Sequence, residues 1–135
     1  MAYMSQEKKK ALAPAIKNVL KKYHMNGTIA VRNHSTLVVN LKSGELNIIE
    51  NHNKVAASSG VQKPYLATNY IQVNPYHTDR NYSGKVAKFF SELIHAMNNG
   101  NHDNSDSQTD YFDVGWYIDI NVGQWDQAYV YEVKQ

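Results

Sequence analysis

The stretch TIAVRNHSTLVVNLK, residues 28–42, decides how the rest of the chain is read. Ile29 and Val31 alternate with smaller or polar neighbours. After Asn33-His34-Ser35 the alternation resumes, with Leu37, Val39 and Leu41 on one face and Val38 and Asn40 on the other. Two period-two runs separated by a short turn-forming break predict a β-hairpin with one buried face.

Working outward, the preceding segment carries Leu12, Ile16, Val19, Leu20 and Tyr23 at helical spacing. Ser5 is the natural N-cap, Pro14 suggests a start near residue 13, and Asn26-Gly27 supplies a left-handed stop. Beyond the hairpin, Leu46 to Glu50 reads as a third strand and residues 51–67 as a long loop. Thr68 to Asn74 is the fourth strand. Val86, Phe89, Phe90, Leu93, Ile94 and Met97 then mark a second amphipathic helix between a Ser83 cap and an Asn98-Asn99-Gly100 stop. Trp116, Ile118, Ile120 and Val122 alternate in the next strand, and Ala128 to Val133 returns as the last. The expected fold is α+β in the order α-β-β-β-β-α-β-β, two helices on one face of a mostly antiparallel sheet. At 135 residues the chain is expected to be a single domain, 1–135.

With 42% hydrophobic residues and a net charge of +2, the composition is that of a folding chain. No apolar run reaches the roughly 20 residues of a membrane span, and no apolar signal core follows the first lysines. Zero cysteines exclude disulfide frameworks, thiol nucleophiles and cysteine-ligated zinc, and fit a reducing cytoplasm.

The small net charge conceals a polarity. Residues 1–60 hold nine basic and three acidic residues, whereas residues 89–133 hold eight acidic residues and no lysine or arginine. The basic half is concentrated in Lys8, Lys9, Lys10, Lys17, Lys21 and Lys22 on the first helix. Its acidic counterpart is Asp103, Asp106, Asp110, Asp113, Asp119 and Asp126, together with Glu92 and Glu132. A lysine row on the back of a helix is ordinarily a solvated face, but it is also the footprint that nucleic acid requires. The scarcity of arginine and the acidic second half weigh against nucleic acid. An acidic surface suits a basic protein partner, and two opposite poles would also let copies of the chain associate.

Specific chemistry is sparse. From Asp103 the EF-hand spacing fails, because Gln108 stands where glycine belongs and Val114 where glutamate belongs. The six histidines show no metal-ligand spacing, and there is no Gly-x-Ser-x-Gly elbow, Walker loop or Gly-x-Gly-x-x-Gly turn. Asp119 followed by Glu132-Val133-Lys134 mimics the carboxylate and lysine pattern of metal-dependent nucleases. Tyr70, Tyr117, Tyr129 and Tyr131 fall on strands, where amphipathic rings can coat a binding face.

From Leu20 to Glu50, LKKYHMNGTIAVRNHSTLVVNLKSGELNIIE resembles the large polyvalent-protein-associated domains of phages and conjugative elements. Lys21-Lys22-Tyr23, Gly27-Thr28, Val31-Arg32-Asn33-His34-Ser35 and Leu37 to Gly44 carry the likeness. Tyr70 to Asn74, Asn101 to Asp106 and Asp110 to Asp113 are similar to small phage proteins of the same type. The resemblance implies an accessory protein of a phage or mobile element acting in the cytoplasm of a bacterial host. It implies no catalytic residues.

The expected function is therefore non-enzymatic binding, and inhibition, of a host protein such as a defence factor. Its contact surface would be Asp103, Asp106, Asp110, Asp113, Asp119 and Asp126 with Tyr117, Tyr129 and Tyr131, and it would use no cofactor or metal. The alternative is nucleic-acid binding through Lys8, Lys9, Lys10, Lys17, Lys21 and Lys22. A metal-dependent nuclease built on Asp119 and Glu132 is the third reading.

Overall fold

The computed structural model describes residues 3–58, 70–73, 75, 78–99, 115–124 and 127–131. Helix α1 (Gln6–Lys22) starts where Ser5 caps it, the serine Oγ accepting from the Lys8 amide at 3.1 Å. The helix runs through Pro14 instead of starting beside it. Pro14 is exposed, and at its position the helix lacks the amide donor that would bond four residues back. The left-handed residue at the C-terminal end is His24, with φ 54°. Asn26 and Gly27, expected as that stop, instead belong to strand β1 (Met25–Arg32), whose pairing with strand β2 (Thr36–Gly44) shifts register between them. A Cβ on Gly27 would lie 2.6 Å from the Asn40 carbonyl oxygen, so the two strands approach too closely there for any larger residue.

The hairpin β1–β2 is antiparallel, with Arg32 opposite Thr36 and Val31 opposite Leu37. After it the sequence reading and the structure part. Leu46 to Glu50 is not a strand, because Ile48 opens helix α2 (Ile48–Ser58). Asn47 immediately precedes the helix, and its side-chain amide donates to the Glu50 carboxylate three residues on. That is the spacing of an N-cap and its N3 partner, and it overrides the β-branched preference of Ile48 and Ile49. The expected loop is thus helical through Ser58, and residues 59–69 lie outside the described residues.

Strand β3 is short (Ile71–Val73), and a single helical turn, α3 (Thr78–Asn81), precedes helix α4 (Gly84–Met97). In α4 the apolar stripe is buried as its spacing predicts: Val86, Phe89, Phe90, Leu93 and Met97 are all core residues. Ser83 occupies the N-cap position, but its partner is Asn51 of α2. The Asn51 amide donates to Ser83 Oγ at 3.0 Å, and the Ser83 amide donates to Asn51 Oδ1 at 3.0 Å. Strand β4 (Tyr117–Val122) and the two-residue β5 (Val130–Tyr131) are the last of the described elements.

The sheet order is β1-β2-β4-β3, with β5 pairing the far end of β2 at Ser43 and Gly44. The expected mostly antiparallel sheet is instead mixed. Strands β1–β2 and β3–β4 pair antiparallel, but β2 pairs parallel to both β4 and β5. The connection through α2, β3, α3 and α4 returns β4 alongside β2 in the same direction, which is what a long helical crossover permits. Helix α1 packs on β1 and on α4. Their apolar faces meet Leu37, Val39, Leu41, Ile120 and Val122 in one core cluster, and Tyr23 packs edge-on to Phe89 with ring centroids 5.2 Å apart.

Candidate binding surface on the outer face of the sheet

Strand alternation sends Ile29, Val31, Leu37, Val39, Leu41, Ile120 and Val122 to the helices and sets a second row on the opposite face. The pairings align that row as Arg32, Thr36 and Tyr117 at one end, then Ala30, Val38 and Asp119, then Thr28, Asn40, Asn121 and Gln72. Tyr117 is 49% exposed, and Arg32, Thr28 and Gln72 are exposed with it.

The centre of this face is electrostatically closed. Asp119 is 8% exposed, and Arg32 Nη2 lies 2.6 Å from its Oδ2. Because β2 stands between β1 and β4, the arginine side chain must cross over β2 to make this contact. Val38, on the same face, is buried although it points away from the core. The contact pairs charge without an aligned hydrogen bond, since no hydrogen bond of good geometry reaches Oδ2 among the described residues. Gln72 approaches the other carboxylate oxygen at 3.5 Å, and the Asn121 side chain donates to Asn40 Oδ1 at 3.0 Å. Around the centre of the face stand amides, hydroxyls and the exposed Tyr117 ring, with Arg32 and Asp119 paired with each other.

The sequence-predicted residues are distributed unevenly around it. Tyr117 and Asp119 belong to the face. Tyr131 is exposed on β5, whereas Tyr129 is buried and donates from its hydroxyl to the Leu46 carbonyl at 2.7 Å. Tyr129 is therefore a core residue and not a surface contact, a correction that follows from its position just before the two-residue strand. Asp103, Asp106, Asp110, Asp113 and Asp126 lie outside the described residues, as do Glu132 and Lys134. Arg32, Asn40, Gln72 and Asn121 are not among the contact residues expected from the sequence. Their one advance signal is that each occupies the outward phase of a period-two strand.

The lysines divide into three groups. Lys8 sits 5.3 Å above the Trp116 ring and 6.0 Å from that of Tyr3, joining the start of α1 to the segment before β4. Lys22 Nζ lies 2.6 Å from Glu92 Oε1, and the Tyr23 hydroxyl donates to the other oxygen of the same carboxylate. Those two bonds hold the Glu92 carboxyl below its ordinary range, and the same hydrogen bonds hold Lys22 and Tyr23 above theirs. Lys10, Lys17 and Lys21 are exposed, and Lys9 is half-buried.

Among the described residues, no group of three or more His, Cys, Asp or Glu side chains is arranged to hold a metal ion. No described helix is long and apolar enough to cross a membrane. Comparison with protein-family profiles, curated proteins and solved structures gives no match to this chain.

Proposed function

We propose that the chain is a non-enzymatic binding protein that engages another protein through the outer face of its sheet. The observation that carries this reading is the Arg32–Asp119 pair. It removes net charge from the centre of the face and leaves Tyr117, Gln72 and the Asn40–Asn121 amides as the contact chemistry. Exposed tyrosine surrounded by neutral hydrogen-bonding groups is the composition of protein-recognition surfaces, where aromatic anchors supply most of the affinity. A phosphate backbone would instead require free cations on that face. The resemblance to phage and mobile-element domains supplies the setting: the partner is a host protein, and a defence factor is the natural target to inhibit.

Capture from nuclease-treated bacterial lysate, with mass spectrometry, tests the reading. A host protein held by the native chain and lost by Tyr117→Arg supports it. Capture that is identical for both chains removes the sheet face from consideration.

A further inference from the structure

The outer edge of β1 is the longest unpaired strand edge among the described residues. The strand spans eight residues, and no described strand pairs along the side facing away from β2. Alternate residues of such a strand direct their amides and carbonyls outward, a template for another strand. Natural edges are usually blunted by charge, proline or a bulge. Here the bulge lies at one end, between Asn26 and Gly27, and Thr28-Ile29-Ala30-Val31 contains neither charge nor proline. The one charge in the strand, Arg32, is drawn inward across β2, its Nη2 lying 2.6 Å from Asp119 Oδ2. It leaves the edge unguarded. Ile29 and Val31 face the core but stay half-buried, whereas their β2 partners Val39 and Leu37 are fully buried. The apolar layer is thus incomplete along this edge.

The polarity of the edge selects what completes it. Thr28-Ile29-Ala30-Val31-Arg32 reads polar, apolar, small, apolar, polar in either direction. In an antiparallel self-pairing with Ala30 on a two-fold axis, Ile29 stands opposite the partner's Val31 on the helix side of the sheet. Thr28 stands opposite the partner's Arg32 on the outer face, and Ala30 meets its own copy. Neighbouring registers fit less well. An axis at Ile29 sets Gly27 against Val31, and an axis at Val31 sets Ile29 against the turn residue Asn33. A strand of another protein would gain the same backbone bonds, but it gives no reason for the edge to read alike in both directions.

We propose that β1 of one copy pairs antiparallel with β1 of a second copy about a two-fold axis at Ala30, joining two sheets into one. The arrangement is closed, because each copy offers one such edge and the pairing consumes both. Ile29 and Val31 of each copy complete the other's apolar layer, and the outward amides and carbonyls of both strands are satisfied. A ladder of this length lies at the low end of interface sizes, so the expected affinity is about micromolar or weaker. Tyr117 lies on β4, beyond β2 from this edge, so the dimer stands whether or not the outer face binds a protein.

Sedimentation equilibrium of the full chain, with hydrogen exchange at low and high protein concentration, tests the proposal. The expected result is a reversible dimer, with the outward amides of residues 28–32 exchanging more slowly as concentration rises. Because Ala30 faces itself, Ala30→Lys and Ala30→Glu should each weaken self-association about fivefold or more by setting like charges opposite one another. An equimolar mixture of the two variants should associate again, since the axis then brings opposite charges together. Circular dichroism of each variant alone checks its fold, and if either fails, the exchange experiment on the native chain still decides the matter. A chain that stays monomeric at about 1 mM would overturn the proposal. So would a dimer that leaves the β1 amides unprotected. Single variants that self-associate like the native chain, or a mixture that associates no better than either variant alone, would overturn it equally.

Discussion

Arg32 reaches across strand β2 to place its guanidinium 2.6 Å from the Asp119 carboxylate, joining one edge of the sheet to its interior. The aspartate is nearly buried while the arginine stays half exposed, so the pair works mainly by keeping a desolvated carboxylate from standing alone. Removing only the cation therefore costs more than removing both charges. Arg32→Met should lower stability by about 1–2 kcal/mol, a figure reduced from that of a fully buried pair because Arg32 is partly solvated. Adding Asp119→Asn should recover much of the loss. Urea unfolding of the two single variants and the double variant checks this, and strict additivity would contradict it.

Gly27 tests the close approach of β1 and β2. A methyl group there would lie 2.6 Å from the Asn40 carbonyl oxygen, and the atoms it meets are β2 backbone, which leaves little room to yield. Gly27→Ala should destabilise the fold by about 1–3 kcal/mol. An unchanged unfolding midpoint would mean that the strands are further apart than described.

Tyr129 and Tyr131 lie two residues apart yet should respond differently to loss of the hydroxyl. Tyr129→Phe deprives the Leu46 carbonyl of its donor and should cost about 1–2 kcal/mol. Tyr131, exposed on β5, should tolerate the same change within about 0.5 kcal/mol. Thermal unfolding of the two variants gives the comparison.

The Lys22–Glu92–Tyr23 cluster gives stability a pH window. The Lys22 hydrogen bond is the largest influence lowering the Glu92 carboxyl below its ordinary 4.5. Its contribution is therefore complete above that pH and lost as the solution is acidified through the folded-state value. The Glu92 hydrogen bond raises Lys22 from 10.5 and Tyr23 from 10.0, so their contributions are complete below those values and disappear as pH rises. The stability difference between the native chain and Glu92→Gln should be greatest from about pH 5 to pH 9 and shrink on both sides. A difference independent of pH would show that the cluster does not couple to folding.

What the sequence reveals follows the range of the forces involved. Helices α1 and α4 and the β1–β2 hairpin are legible because each buries a face set by its own periodicity. Helix α2 is misread because Leu46, Ile48 and Ile49 carry a strand preference, and the opposing signal is one local pair, Asn47 and Glu50. The parallel β2–β4 ladder has no local signature, since it depends on how the crossover through α4 returns. For the same reason Asp119 stands out in the sequence as a candidate ligand while Arg32 does not, and only the sheet order brings them together. Tyr129 follows the alternation that would set it beside Tyr131, but a two-residue strand is too short to hold it on that face.

The proposed recognition of a protein by the outer sheet face rests on Tyr117 and its neutral surroundings. Calorimetric titration of the captured host protein against the native chain and against Tyr117→Ala with Gln72→Ala measures it directly. The expected result is a loss of about 2 kcal/mol or more, roughly thirtyfold in affinity, with the unfolding midpoint unchanged. Equal affinity for both proteins would contradict it.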